Sequence, residues 1–170
     1  IRQYPVLNAE FGYERGVDDL PTYRVKQDWQ ENLRRAWLVY IGGGYGVYYY
    51  SNTAWDVVKP EPGPPGMQRF QLLKETLSAL PYWRMAPHNE LAVGGPCLAL
   101  PGEAYAVFVE TGAVTINLTG LESPEKARAE WLDTWTGQRA RVTLAAAPVQ
   151  RRLSKPKAFS DAPALLLIRP

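Results

Sequence analysis

Apolar and polar residues alternate along this chain in two rhythms, and the change between them falls near Gly94-Gly95-Pro96. Upstream the rhythm is helical in two places. Over residues 22 or 23 to 40, Val25, Trp29, Leu33, Ala36, Trp37 and Tyr40 recur three and four residues apart, with Lys26, Gln27, Gln30, Glu31, Arg34 and Arg35 opposite. This spacing predicts an amphipathic helix with Thr22 as its N-cap. A second helix is predicted over 67–80, with Met67, Phe70, Leu73, Leu77 and Leu80 on one stripe and Pro81 ending it. Tyr82, Trp83 and Met85 are expected to pack beneath. Each helix is preceded by a strand-length run. Residues 6–9, introduced by Pro5, read as a buried strand; residues 46–50 read as another, with Tyr48 and Tyr50 facing one way and Val47 and Tyr49 the other.

Downstream of 94 the helical period disappears. Short apolar or alternating runs at 97–100, 105–110, 114–118, 129–134, 140–144 and 164–168 are separated by Gly- and Pro-containing turns. Strands at intervals of about ten residues predict an antiparallel β-sandwich. The chain therefore divides into an α/β part, 1–93, and an all-β part, 94–170. Strand–helix–strand–helix implies parallel pairing. Two strands do not close a (β/α)8 barrel, which needs eight, so the first part corresponds to the last β/α units of one.

The 46% apolar content supplies a core and rules against disorder. Six Trp and ten Tyr with a net charge of only +2 fit a protein that handles neutral polar ligands such as sugars. The charges are scattered, and the one basic cluster, residues 151–157, reads as a solvated loop, so no nucleic-acid surface is indicated. No apolar run approaches the ~20 residues needed to span a membrane. No signal-peptide pattern is present; a start at Ile1, running almost at once into a strand, reads as a piece cut from a longer chain. One Cys and one His leave no zinc cluster and no Ser-His-Asp triad, and no metal or other cofactor is expected. Cys97 lies in an apolar run and reads as a buried inert thiol, His88 as a surface group.

The candidate chemistry sits in Tyr4-Pro-Val-Leu-Asn-Ala-Glu-Phe-Gly-Tyr-Glu14. Glu10 follows an apolar strand beside a glycine and aromatics, and an unpaired carboxylate in such a place costs several kcal/mol. Two readings fit: a catalytic carboxylate at the C-terminal mouth of a barrel, or an ion-paired Glu at a strand end. Three consecutive tyrosines, then Ser-Asn-Thr and Trp55, form a rim of stacking and hydrogen-bonding groups.

The motifs from Pro5 to Glu14, Ala36-Trp37 and Gly43-Gly-Tyr-Gly-Val-Tyr-Tyr-Tyr-Ser-Asn-Thr-Ala-Trp-Asp56 resemble the end of the apiosidase-like glycoside hydrolase barrels of bacteria. Pro101-Gly-Glu-Ala-Tyr-Ala-Val-Phe108, Trp131-Leu-Asp-Thr-Trp-Thr-Gly137 and Ala162-Pro-Ala-Leu-Leu-Leu-Ile168 resemble the small β-sandwich that often follows them. That sandwich carries a collagen-binding label, which nothing in these residues supports. The resemblance covers nearly the whole chain. It implies retaining hydrolysis of a plant or microbial polysaccharide by two carboxylates roughly 5 Å apart, and an extracellular or periplasmic location. Glu10 would be the nucleophile, oriented by Tyr13. Trp55 would floor the sugar subsite, with Tyr48, Tyr50 and Asn52 nearby. The acid/base carboxylate would come from an earlier strand, in the N-terminal half of the barrel, so this chain alone is expected not to hydrolyse anything. An incomplete barrel should also self-associate through its open edges. The alternative is a non-catalytic carbohydrate-binding or structural β module, with Trp131, Trp135 and Phe108 either a sugar platform or sandwich core.

Overall fold

A computed structural model describes residues 4–15, 27–50, 63–146, 149–159 and 161–170. In chain order its elements are β1 (Leu7–Asn8), β2 (Tyr13–Glu14), α1 (Trp29–Ile41), β3 (Tyr45–Gly46), β4 (Tyr49–Tyr50), α2 (Met67–Ser78), β5 (Ala86–Pro87), β6 (Ala92–Val93), β7 (Cys97–Leu100), β8 (Ala104–Val109), β9 (Ala113–Asn117), β10 (Arg128–Asp133), β11 (Arg139–Val142), β12 (Gln150–Ser154) and β13 (Ala164–Arg169). Among the described residues thirteen strands, most of them short, accompany two α-helices.

The first half pairs in parallel, β1 with β3 and β2 with β4, in two short sheets. The expected strand over 46–50 is thus two short ones, with residues 47–48 unpaired between them. Helix α1 begins at Trp29, not at 22 or 23. Its cap is Asp28, whose Oδ1 accepts the Glu31 amide at 2.7 Å, while Gln27 forms an isolated bridge with Glu14. Thr22 lies outside the described residues. Helix α2 ends two residues before the predicted Leu80, and Pro81 follows.

In the second half, six antiparallel strands run in the order β11-β10-β13-β8-β7-β5, and three more in the order β12-β9-β6. The sheets take in residues upstream of 94, because Ala86–Pro87 pairs with β7 and Ala92–Val93 with β9. β8 and β13 read as unbroken apolar runs because both faces of the six-stranded sheet are covered. Ala104, Ala106, Phe108, Leu132, Leu165 and Leu167 face the helices and meet Leu33, Ala36, Trp37, Leu73 and Leu77. The alternate residues Tyr105, Val107, Val109, Trp131, Leu166 and Ile168 face the three-stranded sheet and meet Val114 and Ile116.

Four further expectations are corrected. The 6–9 strand is not buried: Leu7 is 59% exposed, since no described element packs over it. Met67, at the first turn of α2, and Trp83 are also exposed, the latter at 77%. Only Leu73, Leu77 and Leu80 of the predicted stripe reach the core, with Phe70 partly buried against it, so the C-terminal end of α2 is the end that is covered. The basic loop at 151–157 is largely the strand β12: Arg151 is buried and donates to the Ala145 carbonyl, and Lys155 Nζ donates to the Ala162 carbonyl.

Candidate active site

β1 ends at Asn8, whose side-chain oxygen accepts the Glu10 amide at 3.1 Å and turns the chain away from the strand. Glu10 therefore emerges just past the β1–β3 pair. It is exposed rather than buried, which corrects the sequence reading of a carboxylate in an apolar setting. One of its oxygens is held: Tyr13 Oη donates to Oε1 at 2.5 Å. Its other oxygen has no partner among the described residues. Among the described residues no arginine pairs with it.

Tyr13 is itself buried, on β2, its ring 5.0 Å from that of Tyr49 on the parallel partner β4. Strand alternation then points the next residue, Glu14, the opposite way, into the structure. Glu14, 1% exposed, is the buried carboxylate of this region. Its Oε2 accepts Tyr48 Oη at 2.6 Å and the Gly66 amide at 3.1 Å, and its Oε1 lies 3.3 Å from the same amide. Gly66 is the N-cap of α2, where free amides and the helix dipole favour a negative charge. A Cβ on Gly66 would sit 2.2 Å from Glu14 Oε2, so glycine is what lets the carboxylate approach.

The tyrosines divide their work. Tyr48 and Tyr50 share a face, as predicted, and stack at 5.7 Å, and Tyr48 stacks on Phe70 at 4.1 Å. The Tyr48 hydroxyl, expected as a sugar contact, donates its hydrogen bond to Glu14. Burial, then the bond to Glu14, push its phenol well above the usual range. Asn52 and Trp55, the other expected subsite residues, lie outside the described residues. Sequence reasoning assigned Glu14 no role. Its partners stand 34 and 52 residues away, so no local pattern marks it.

Trp131 and Phe108 are buried on opposite faces of the six-stranded sheet. Trp135 packs edge-on against Trp29 at 5.4 Å. They are core and helix-packing rings, not a sugar platform. Elsewhere His88 Nδ1 lies 2.7 Å from Glu90 at the surface. An apolar cleft of about 350 Å³ is lined by Tyr40, Tyr45, Leu73, Leu77, Tyr82 and Trp83 but not by Glu10.

No protein-family model matches the sequence, and no curated protein matches it. Solved structures do. The chain is similar to a structure described as a glycoside hydrolase, with a TM-score of 0.76 and 17% identity over 97% of this chain and 42% of that one. A glycoside hydrolase family 5 structure from Bacteroides vulgatus ATCC 8482 gives 0.76 and 16%, covering 97% and 41%. Another glycoside hydrolase of that organism gives 0.61 and 16%, covering 97% and 36%. At these identities the likeness shows the fold: this chain matches a part, less than half, of a glycoside hydrolase fold.

Proposed function

We propose that this chain is the C-terminal part of a retaining glycoside hydrolase. In this reading β1–β4, α1 and α2 are the last β/α units of a (β/α)8 barrel, and residues from about 94 onward form its β-sandwich. The observation that carries the reading is the short Tyr13–Glu10 bond at the end of a parallel strand pair, where barrel enzymes place their chemistry. Glu10 attacks the anomeric carbon while an acid from an earlier strand protonates the departing oxygen. Water then cleaves the glycosyl ester, with that second residue acting as base. Tyr13 fixes one carboxylate oxygen and leaves the other to attack. Asn52 and Trp55, outside the described residues, are the further sugar contacts of this reading.

The second carboxylate comes from the N-terminal part of the barrel, which packs on the flank where Tyr4, Val6, Leu7 and Tyr45 are exposed. A chain lacking that cover self-associates. The substrate is an oligo- or polysaccharide met outside the cytoplasm of a bacterium. The test is hydrolysis of a panel of aryl glycosides by a protein extended N-terminally to the whole barrel, with the anomer of the first-formed product read by NMR. Retention is expected, and residues 1–170 alone should be silent. Inversion, or no cleavage by the extended protein, overturns the proposal.

A further inference from the structure

The helix-facing side of the six-stranded sheet does not end at the helices. Beyond α2, toward the β11 edge, it changes from apolar to basic. Glu130 on β10 is 3% exposed, and its Oε1 receives Arg139 Nη1 at 2.7 Å and lies 3.4 Å from Arg169 Nη2. Its Oε2 lies 3.4 Å from Arg128 Nη2. Strand pairing puts a fourth guanidinium on this face, because Arg141 is the Cα partner of Glu130 and Arg128 is that of Arg169. Arg141 is exposed and has no ion-pair partner among the described residues.

Arg139 supplies the one short ion pair to the buried carboxylate, and Arg128 and Arg169 stand farther off at 3.4 Å. Among the described residues four guanidiniums share one recorded carboxylate, while the whole chain carries only +2. A carboxylate at Pro170, next to Arg169, would leave a surplus of two. The basic residues span three adjacent strands, about 10 Å across at ordinary strand spacing. Arginine forks fit carboxylate and sulfate oxygens two at a time. Trp131, on the same strand as Glu130, projects through the opposite face into the core, and Arg169 Nη1 lies 3.4 Å from the Ala79 carbonyl at the end of α2.

We propose that this arginine face binds an acidic polysaccharide, through the carboxylate or sulfate groups of successive sugars. That the polymer is a glycan rests on the glycoside-hydrolase reading; that it is anionic rests on the arginines alone. A single-stranded nucleic acid would call for rings stacked beside the charges, and among the described residues the recorded guanidinium–ring contact belongs to Arg69, not to these arginines.

The test is fluorescence anisotropy with residues 1–170 and a labelled alginate oligosaccharide. A neutral cello-oligosaccharide and a single-stranded DNA of the same length serve as comparisons. Binding of alginate alone is expected, weakening as NaCl rises from about 50 to about 200 mM. The R128A/R141A variant, which leaves the Arg139–Glu130 pair in place, should bind about fivefold more weakly. R141Q, which removes the charge without setting a second carboxylate opposite Glu130, should also weaken binding with an unchanged melting temperature. Equal affinity in the variants, or equal binding of the neutral glycan, overturns the proposal. DNA binding as tight as alginate overturns the glycan assignment. Because no hydrolysis is read, failure here is separate from failure of the catalytic assignment.

Discussion

Tyr48 Oη donates to the buried Glu14 carboxylate at 2.6 Å, and this bond ties the loop after β3 to the start of α2 through the Gly66 amide. Removing the donor leaves the buried carboxylate, among the described residues, with the Gly66 amide alone. Tyr48→Phe should therefore cost about 1.5–3 kcal/mol in urea unfolding, the range for hydrogen bonds to charged groups. A stability change within error would mean that Glu14 is satisfied without it.

Gly66 is constrained by the same carboxylate and not by its backbone, which has an ordinary φ of −73°. Gly66→Ala would place a methyl group 2.2 Å from Glu14 Oε2, and the carboxylate must move. A loss of about 1–3 kcal/mol is expected, as for other overpacked sites. An equally stable alanine variant would show that the carboxylate has room to withdraw.

Cys97 is fully buried between the two sheets, and burial pushes its thiol up to about 12. It should resist a thiol reagent such as DTNB at pH 8 in the folded chain and react stoichiometrically in guanidinium. Fast reaction of the native protein would contradict the packing of β7 against β8 and β9.

Glu31 ties α1 to itself and, through Arg34, to Glu110: its carboxylate receives Arg34 at 2.7 Å and Arg35 at 2.7 Å. The hydrogen bond from Arg34, followed by the one from Arg35 and their charges, holds its carboxyl at about 2, against an ordinary 4.5. A depressed folded-state value means that the contribution is present above the ordinary value and fades as pH falls toward 2. Wild type should lose more stability than Glu31→Gln between about pH 5 and pH 2. Parallel pH profiles for the two proteins would refute the pairing.

The strands at 97–100, 104–109, 113–117, 128–133, 139–142 and 164–169 were legible because they carry apolar runs bounded by Gly and Pro turns. β12 was not, since Gln150-Arg151-Arg152-Leu153-Ser154 has one apolar residue; its pairing with β9 and the capture of the Arg151 guanidinium by a carbonyl make it a strand. The start of α1 was missed because the apolar period runs back to Val25, while Asp28 and Glu31 set the end through a local cap. Glu10 and Tyr13 were legible as neighbours three residues apart. The Tyr48–Glu14–Gly66 junction was not, because it joins three distant segments, and propensity is blind to such contacts.

The assignment of Glu10 is tested most directly by trapping. The barrel-length protein would be treated with a 2-deoxy-2-fluoroglycoside bearing a good leaving group, then digested with trypsin. The peptide of residues 3–15 contains both Glu10 and Glu14, and fragmentation separates them. The account predicts a glycosyl ester on Glu10, and no ester in Glu10→Ala. An adduct on Glu14 or on a carboxylate outside this peptide, or full turnover by Glu10→Ala, would contradict it.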